Sequence, residues 1–412
     1  MYDWAVLEAW IEFAVRWTHV ITAVAWIGSS FYFIALDLGL RKSPDLPPGA
    51  YGEEWQVHGG GFYHVQKYLV APDRLPDHLI WFKWESYATW LSGFALLVLV
   101  YYLGADLYLV DPTVADLAVW QAVLISLASL GFGWLAYDTI CKSRLGDDNT
   151  RLMLLLYVLL VAMAWGYTQV FSGRAALLHL GAFTATIMSA NVFMVIMPNQ
   201  RIVVADLKAG RVPDPKYGRI AKQRSTHNNY LTLPVLFLML SNHYPLAFAT
   251  QYNWIIASLV FLMGVTIRHY FNTRHAGKGN PTWTWGVTVV LFLIIAWLST
   301  APMRTAEPEA QLQGAALTYA SADGFDEVTG IVQGRCSMCH AAEPAWPGML
   351  WPPKGVVLET PAQIAHEARR IYLQAGVSHA MPPANLSYIE PQEREAIVRW
   401  FQGAGTGGGV EG

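Results

Sequence analysis

The chain has 412 residues, of which 54% are hydrophobic and only 14% charged, where an ordinary soluble domain carries about a quarter charged residues. A formal net charge of -3 leaves no broad basic surface for a phosphate backbone and excludes nucleic acid as a partner. The 18 Trp and 20 Tyr, many flanking apolar runs, suit side chains seated at the headgroup level, so the composition is that of an all-α polytopic membrane protein in contact with lipid.

A hydrocarbon core about 30 Å thick takes roughly 20 apolar residues per helix. Met1 to Ala5 lacks the basic stretch that opens a cleavable leader, so the first helix is expected to be an anchor. In chain order the expected spans are Trp10 to Leu36, Trp84 to Leu103, Leu117 to Tyr137, Leu152 to Phe171, Ala175 to Met197, Tyr230 to Leu246, Tyr252 to Phe271 and Trp283 to Ala301. The sixth is interrupted by Pro234. Of the 20 Lys and Arg before Pro302, all but Arg16 and Arg174 fall on one side of this eight-span arrangement. By the positive-inside rule that side is cytoplasmic, which puts both termini outside, in the periplasm of a bacterial inner membrane.

Histidines within or at the ends of such spans are expensive in lipid and are functional candidates. His19, His179 and His243 fall in the outer half and are candidate iron ligands for a haem b, with His19 and His179 as the first pairing. His227 and His243 stand sixteen residues apart, about 24 Å along a helix, so they serve separate sites. On the inner side the 44-residue connection from Asp37 to Ile80 is long for a compact bundle. It carries His58, Gly59, Gly60, Gly61, Tyr63, His64 and Lys67, where the glycine run suggests close backbone approach beside polar donors, or else an interfacial amphipathic helix. Arg224, His227, Asn228, Asn229 and Tyr230 open the sixth span on the same side, and the two groups together suit a small planar anion held between aromatic rings.

After Ala301, residues 302–323 read as a polar tether and 324–403 as a small domain, with a glycine-rich tail, 404–412, expected to be disordered. Its Cys336-Ser337-Met338-Cys339-His340 is a C-x-x-C-H motif: two thiols one turn apart reach the vinyl groups of a haem while the next imidazole meets the iron. Cys336 and Cys339 are the expected thioether positions of one haem c, His340 the proximal ligand and Met381, between Ala380 and Pro382, the second axial ligand of a class I cytochrome c. Zinc needs ligands that this pair lacks.

The segment His227-Asn228-Asn229-Tyr230-Leu231-Thr232-Leu233-Pro234, the run Ser241-Asn242-His243-Tyr244-Pro245, the loop Gly59 to His64 and Trp26-Ile27-Gly28-Ser29-Ser30 resemble the membrane-bound urate hydroxylases with a fused C-terminal cytochrome. That resemblance implies oxidation of urate to 5-hydroxyisourate in purine breakdown, with electrons leaving through the cytochrome to a soluble cytochrome or terminal oxidase. On that expectation the planar urate anion meets Arg224 or Lys67 for charge, Asn228 or Asn229 at its amide edges and Tyr63 or Tyr230 for stacking, while a neutral His64 or His227 takes a proton. The alternative is a non-enzymatic membrane cytochrome that relays electrons from a partner dehydrogenase.

Overall fold

The computed structural model describes residues 4–68, 75–300, 312, 314–347, 349 and 351–406; half of the expected tether and the last six residues of the expected tail lie outside these. Eight long helices precede residue 301: α1 Trp4–Gly39, α2 Trp84–Leu96, α3 Val119–Lys142, α4 Asn149–Thr168, α5 Gly173–Ala190, α6 Pro215–Ser241, α7 Asn253–His275 and α8 Trp283–Thr300. α2 and α5 run on through single wider turns, Leu97–Tyr102 and Asn191–Ile196, the second leading into Met197–Lys208. Six of these rods, all but α2 and α6, are long and apolar enough to cross a membrane, so the chain is a multi-pass membrane protein. α2 is short before its wide turn, and the first half of α6 is polar because it carries the charged and amide residues of the site below.

The interior sits among α3, α4, α5, α6 and α7, with α5 the most enclosed rod. Where no water drives helices together, close backbone approach does. A Cβ on Gly264 of α7 would lie 2.5 Å from the Pro234 ring on α6, and one on Gly133 of α3 would lie 2.3 Å from the Phe183 ring on α5, so both crossings require glycine. Pro234 therefore interrupts the backbone ladder of α6 without ending the helix.

The long connection after α1 is neither open loop nor helix, and the fold is mostly helical rather than all-α. Strands β1 (Ala50–His58) and β2 (Gly61–Tyr68) form an antiparallel hairpin with Val57 opposite Phe62 and Trp55 opposite His64. Gly59 and Gly60 occupy the two-residue turn at φ +60° and +80°, which explains the glycine run: the turn requires left-handed backbone there.

Beyond the bundle, helices α9 (Ala315–Ala320), α10 (Phe325–Arg335), α11 (Pro361–His366) and α12 (Pro391–Thr406) surround a second core of Val328, Val332, Ile364, Tyr372, Ile397 and Trp400. The closing helix extends past Gly403, the expected end of the domain. This unit rests on the bundle: Ala5 of α1 packs into its core, Arg369 pairs with Glu8 at 3.3 Å, and the Arg370 guanidinium lies 4.9 Å from the centre of the Tyr108 ring.

Candidate functional site

Four helices bring a polar network into the bundle core. Arg224 and His227, three residues apart on α6, turn toward α3 and α5. The Arg224 guanidinium, 1% exposed, donates to Asp138 Oδ1 at 2.7 Å and Asn191 Oδ1 at 3.2 Å. Asn191 Nδ2 donates in turn to Tyr137 Oη at 3.1 Å and Asn228 Oδ1 at 2.9 Å, and Asn228 Nδ2 to the Met188 carbonyl at 2.9 Å. Asn191 opens the wide turn of α5, where one extra residue per turn re-aims side chains, a feature frequent at functional positions.

Tyr137 Oη accepts from Asn191 and also lies within hydrogen-bond reach of His227 Nδ1, 2.7 Å away, and of the Cys141 thiol, so the network accommodates either neutral tautomer of His227. His227 Nε2 is sealed and has no partner among the described residues, as is Arg224 Nε. With the Tyr137 proton on Nδ1 the ring presents Nε2–H as a donor; with Nδ1–H donating to Tyr137 Oη and the Tyr137 hydroxyl turned to the Cys141 thiol, Nε2 is an acceptor.

On the α7 side, Asn229 Oδ1 receives Arg268 Nε at 3.3 Å and Asn272 Nδ2 at 2.9 Å, leaving the Asn229 amide nitrogen sealed and unpartnered. Tyr230 is partly buried beside this group. The expected inner-side set therefore divides. Arg224, His227, Asn228 and Asn229 are buried on one stretch of α6. Lys67 is instead paired with Asp37 at the end of α1. His64 stacks on Trp55 with ring centroids 4.2 Å apart and bonds Glu53 at 2.7 Å, and Tyr63 is exposed. None of the hydrogen bonds or ion pairs of these three hairpin residues reaches α6 among the described residues. Asp37 near the end of α1 and Glu53 within β1 satisfy Lys67 and His64 locally.

Tyr137, Asp138, Asn191 and Arg268 were not anticipated. The available signal was chemical: Asp138 is an acid closing an apolar span and Asn191 a lone amide inside one.

Each of the outer histidines has its own set of neighbours. His19 Nδ1 is held by the Thr89 carbonyl at 3.0 Å and Ser92 Oγ at 3.1 Å, its ring against Gly93. His179 bonds the Ala175 carbonyl through Nδ1 at 2.8 Å, and the rings of Phe171, Tyr101 and Tyr167 surround it at 4.7, 5.7 and 5.9 Å. Its orphaned Nε2 has the chemistry of a ligand, but those rings would have to move for a porphyrin. His243 lies within electrostatic reach of Arg16, Arg174 and Lys354. These residues do not fit a haem b as they stand.

The C-terminal motif fits a covalent haem better. Cys336 and Cys339 are free thiols, and burial pushes the Cys336 thiol up to about 11. His340 Nδ1 donates to the Val356 carbonyl at 2.9 Å, which fixes its ring and leaves Nε2 for iron. The Met381 loop is pinned at both backbone groups, its N–H to the Gln374 carbonyl at 2.9 Å and its carbonyl to Arg394 at 2.9 Å. Gly355, next to Val356, presses on the bundle: a Cβ there would lie 3.2 Å from the Pro245 ring just beyond α6.

Residues 5–299 match the family model described as Urate oxidase N-terminal, a match that ends before the Cys336 segment. No curated protein and no solved structure matches the chain.

Proposed function

The chain belongs to the urate oxidase N-terminal family, and from that membership we propose that it is an oxidoreductase converting urate to 5-hydroxyisourate in the inner half of the bundle. Water adds to the oxidised ring carbon, and the products are 5-hydroxyisourate, two protons and two electrons. The observation that carries the placement is the stretch Arg224 to Asn229, whose sealed, unpartnered atoms are all nitrogens: Arg224 Nε, His227 Nε2 and Asn229 Nδ2. Buried donors without acceptors cost stability unless a ligand supplies them. Urate, a planar anion with three carbonyl oxygens, is rich in acceptors.

In this reading the His227 tautomer that donates Nδ1–H to Tyr137 Oη, with the Tyr137 hydroxyl turned to Cys141, leaves Nε2 to take a urate proton, while the other tautomer holds a urate oxygen through Nε2–H. Asn228 and Asn191 keep Tyr137 and Arg224 in register. Tyr230 supplies a ring beside the amide edge, while Tyr63, His64 and Lys67 would meet substrate only if the hairpin swings from the end of α1. A haem c held by Cys336, Cys339, His340 and Met381 would supply a one-electron acceptor on the outer side, with a soluble cytochrome or terminal oxidase beyond it. The contact between Gly355 and Pro245 supports that role, because it seats the His340 support loop at the outer end of the helix whose inner half carries the site. The excess of Lys and Arg on the opposite side supports an outer, periplasmic position for the tail.

The test is turnover of the purified protein with urate and an oxidised soluble cytochrome. Loss of urate with two cytochromes reduced per molecule is expected; untouched urate, or peroxide formed in equal amount, would contradict the proposal.

A further inference from the structure

The cations expected to bind the substrate's charge already have carboxylate partners. Arg224 is paired with Asp138 at 2.7 Å, and Asp138 also meets Lys142 at 2.6 Å; Lys67 is paired with Asp37. Arg268 differs. It is 5% exposed on α7, seven residues from the inner end of that helix, and no carboxylate lies within ion-pairing distance of it among the described residues. Its partners are neutral: Asn229 Oδ1 at 3.3 Å, Asn272 Oδ1 at 3.0 Å and the face of Phe31 on α1 at 4.1 Å. A guanidinium has five N–H donors in a fixed fork, and these contacts engage only Nε and Nη2. Nη1 makes no hydrogen bond among the described residues and is not one of the sealed atoms, so it keeps an opening.

A buried guanidinium without a counter-charge is costly, and one in a membrane-spanning helix more so, unless the missing charge arrives with a ligand. The neighbouring helix supports that reading. Arg268 and Asn272 both donate to Asn229 Oδ1, which turns Asn229 Nδ2 away from them as a free donor on α6. Phe31 stacks on the guanidinium and holds its plane without consuming a donor. The close crossing of Gly264 on Pro234 fixes α7 against α6 at this level.

We propose that Arg268, oriented by Asn229, Asn272 and Phe31, is the residue that binds the negative charge of the purine anion, and that Arg224 is a positioning residue for the Tyr137–His227 pair. This rests on the reading of the bundle as a urate-oxidising site. Arg268 acts on binding, so it governs the preference for an anionic over a neutral purine.

Steady-state kinetics with urate across urate's own acid ionisation test it. In the unmodified protein KM falls as pH rises and the monoanion forms. Arg268→Gln raises KM about 100-fold with kcat within a few-fold, and removes that pH dependence; Arg268→Lys, which keeps the charge but not the fork, recovers part of the loss. An Arg268→Gln protein with unchanged KM and an unchanged pH profile would overturn the assignment while leaving urate oxidation standing. Should Arg268→Gln fail to fold, Arg268→Lys decides: a KM equal to that of the unmodified protein overturns the assignment, and a rise of tenfold or more supports it. If the unmodified protein leaves urate unoxidised, the parent reading falls first.

Discussion

Asp138 and Arg224 are separated by 86 residues in the chain and by one hydrogen bond in the fold. Removing one partner of a buried ion pair leaves the other uncompensated, so Asp138→Ala should lower stability by about 3–5 kcal/mol, read as a fall in the thermal midpoint in detergent. An unchanged midpoint would mean that Arg224 finds another acceptor. His227→Ala should abolish urate-dependent reduction of the acceptor while leaving the absorption of the proposed haem c intact; an active variant removes His227 from the site. At this scale the sequence was partly legible. Arg224, His227, Asn228 and Asn229 stood out because polar residues crowd one stretch at the head of an apolar run. Tyr137, Asp138 and Asn191 did not, because a single polar residue in an apolar helix has no period, and its meaning comes from partners that only tertiary packing supplies.

The elements show where periodicity succeeds and where it misleads. The apolar runs placed the helices, since a spanning helix must satisfy its backbone internally, but the sixth helix begins at Pro215, well before its expected start at Tyr230, because its first half is polar. The stretch after α1 was misread because the glycine run drew attention to ligand approach, while the strand signal was the alternation Tyr51, Glu53, Trp55, Val57 leading into a two-glycine turn. Gly60, at φ +80°, tests that correction: Gly60→Val should loosen the hairpin by roughly 1–2 kcal/mol, visible as faster amide exchange of β1 and β2. In the C-terminal unit burial raises the Glu393 carboxyl, but the Glu390 backbone N–H and the Arg335 guanidinium outweigh it and hold it below the usual carboxylate range. A depressed carboxyl adds stability above its unfolded value and loses it as pH falls through the folded one. The unit should therefore become less stable in acid, and Glu393→Gln should flatten that slope in thermal melts taken from neutral to strongly acidic pH.

For the whole molecule, composition alone specified a membrane protein, and the surplus of Lys and Arg on one side specified an orientation that the position of the tail can test. The docking of that tail was not legible. Glu8, Tyr108 and Pro245 are unremarkable in sequence and become an interface only when Arg369, Arg370 and Gly355 meet them. In intact cells with a permeabilised outer membrane, protease or an impermeant label should reach the C-terminal unit and spare the connection between α5 and α6; the reverse pattern would invert the circuit. The central claim is that electrons taken from urate at the inner half of the bundle reach a covalent haem on the far side. Its most direct test is anaerobic mixing of the oxidised, purified protein with urate while the c-type absorption is followed. The account predicts that urate alone reduces this haem, whereas a haem that dithionite reduces but urate leaves oxidised would contradict it.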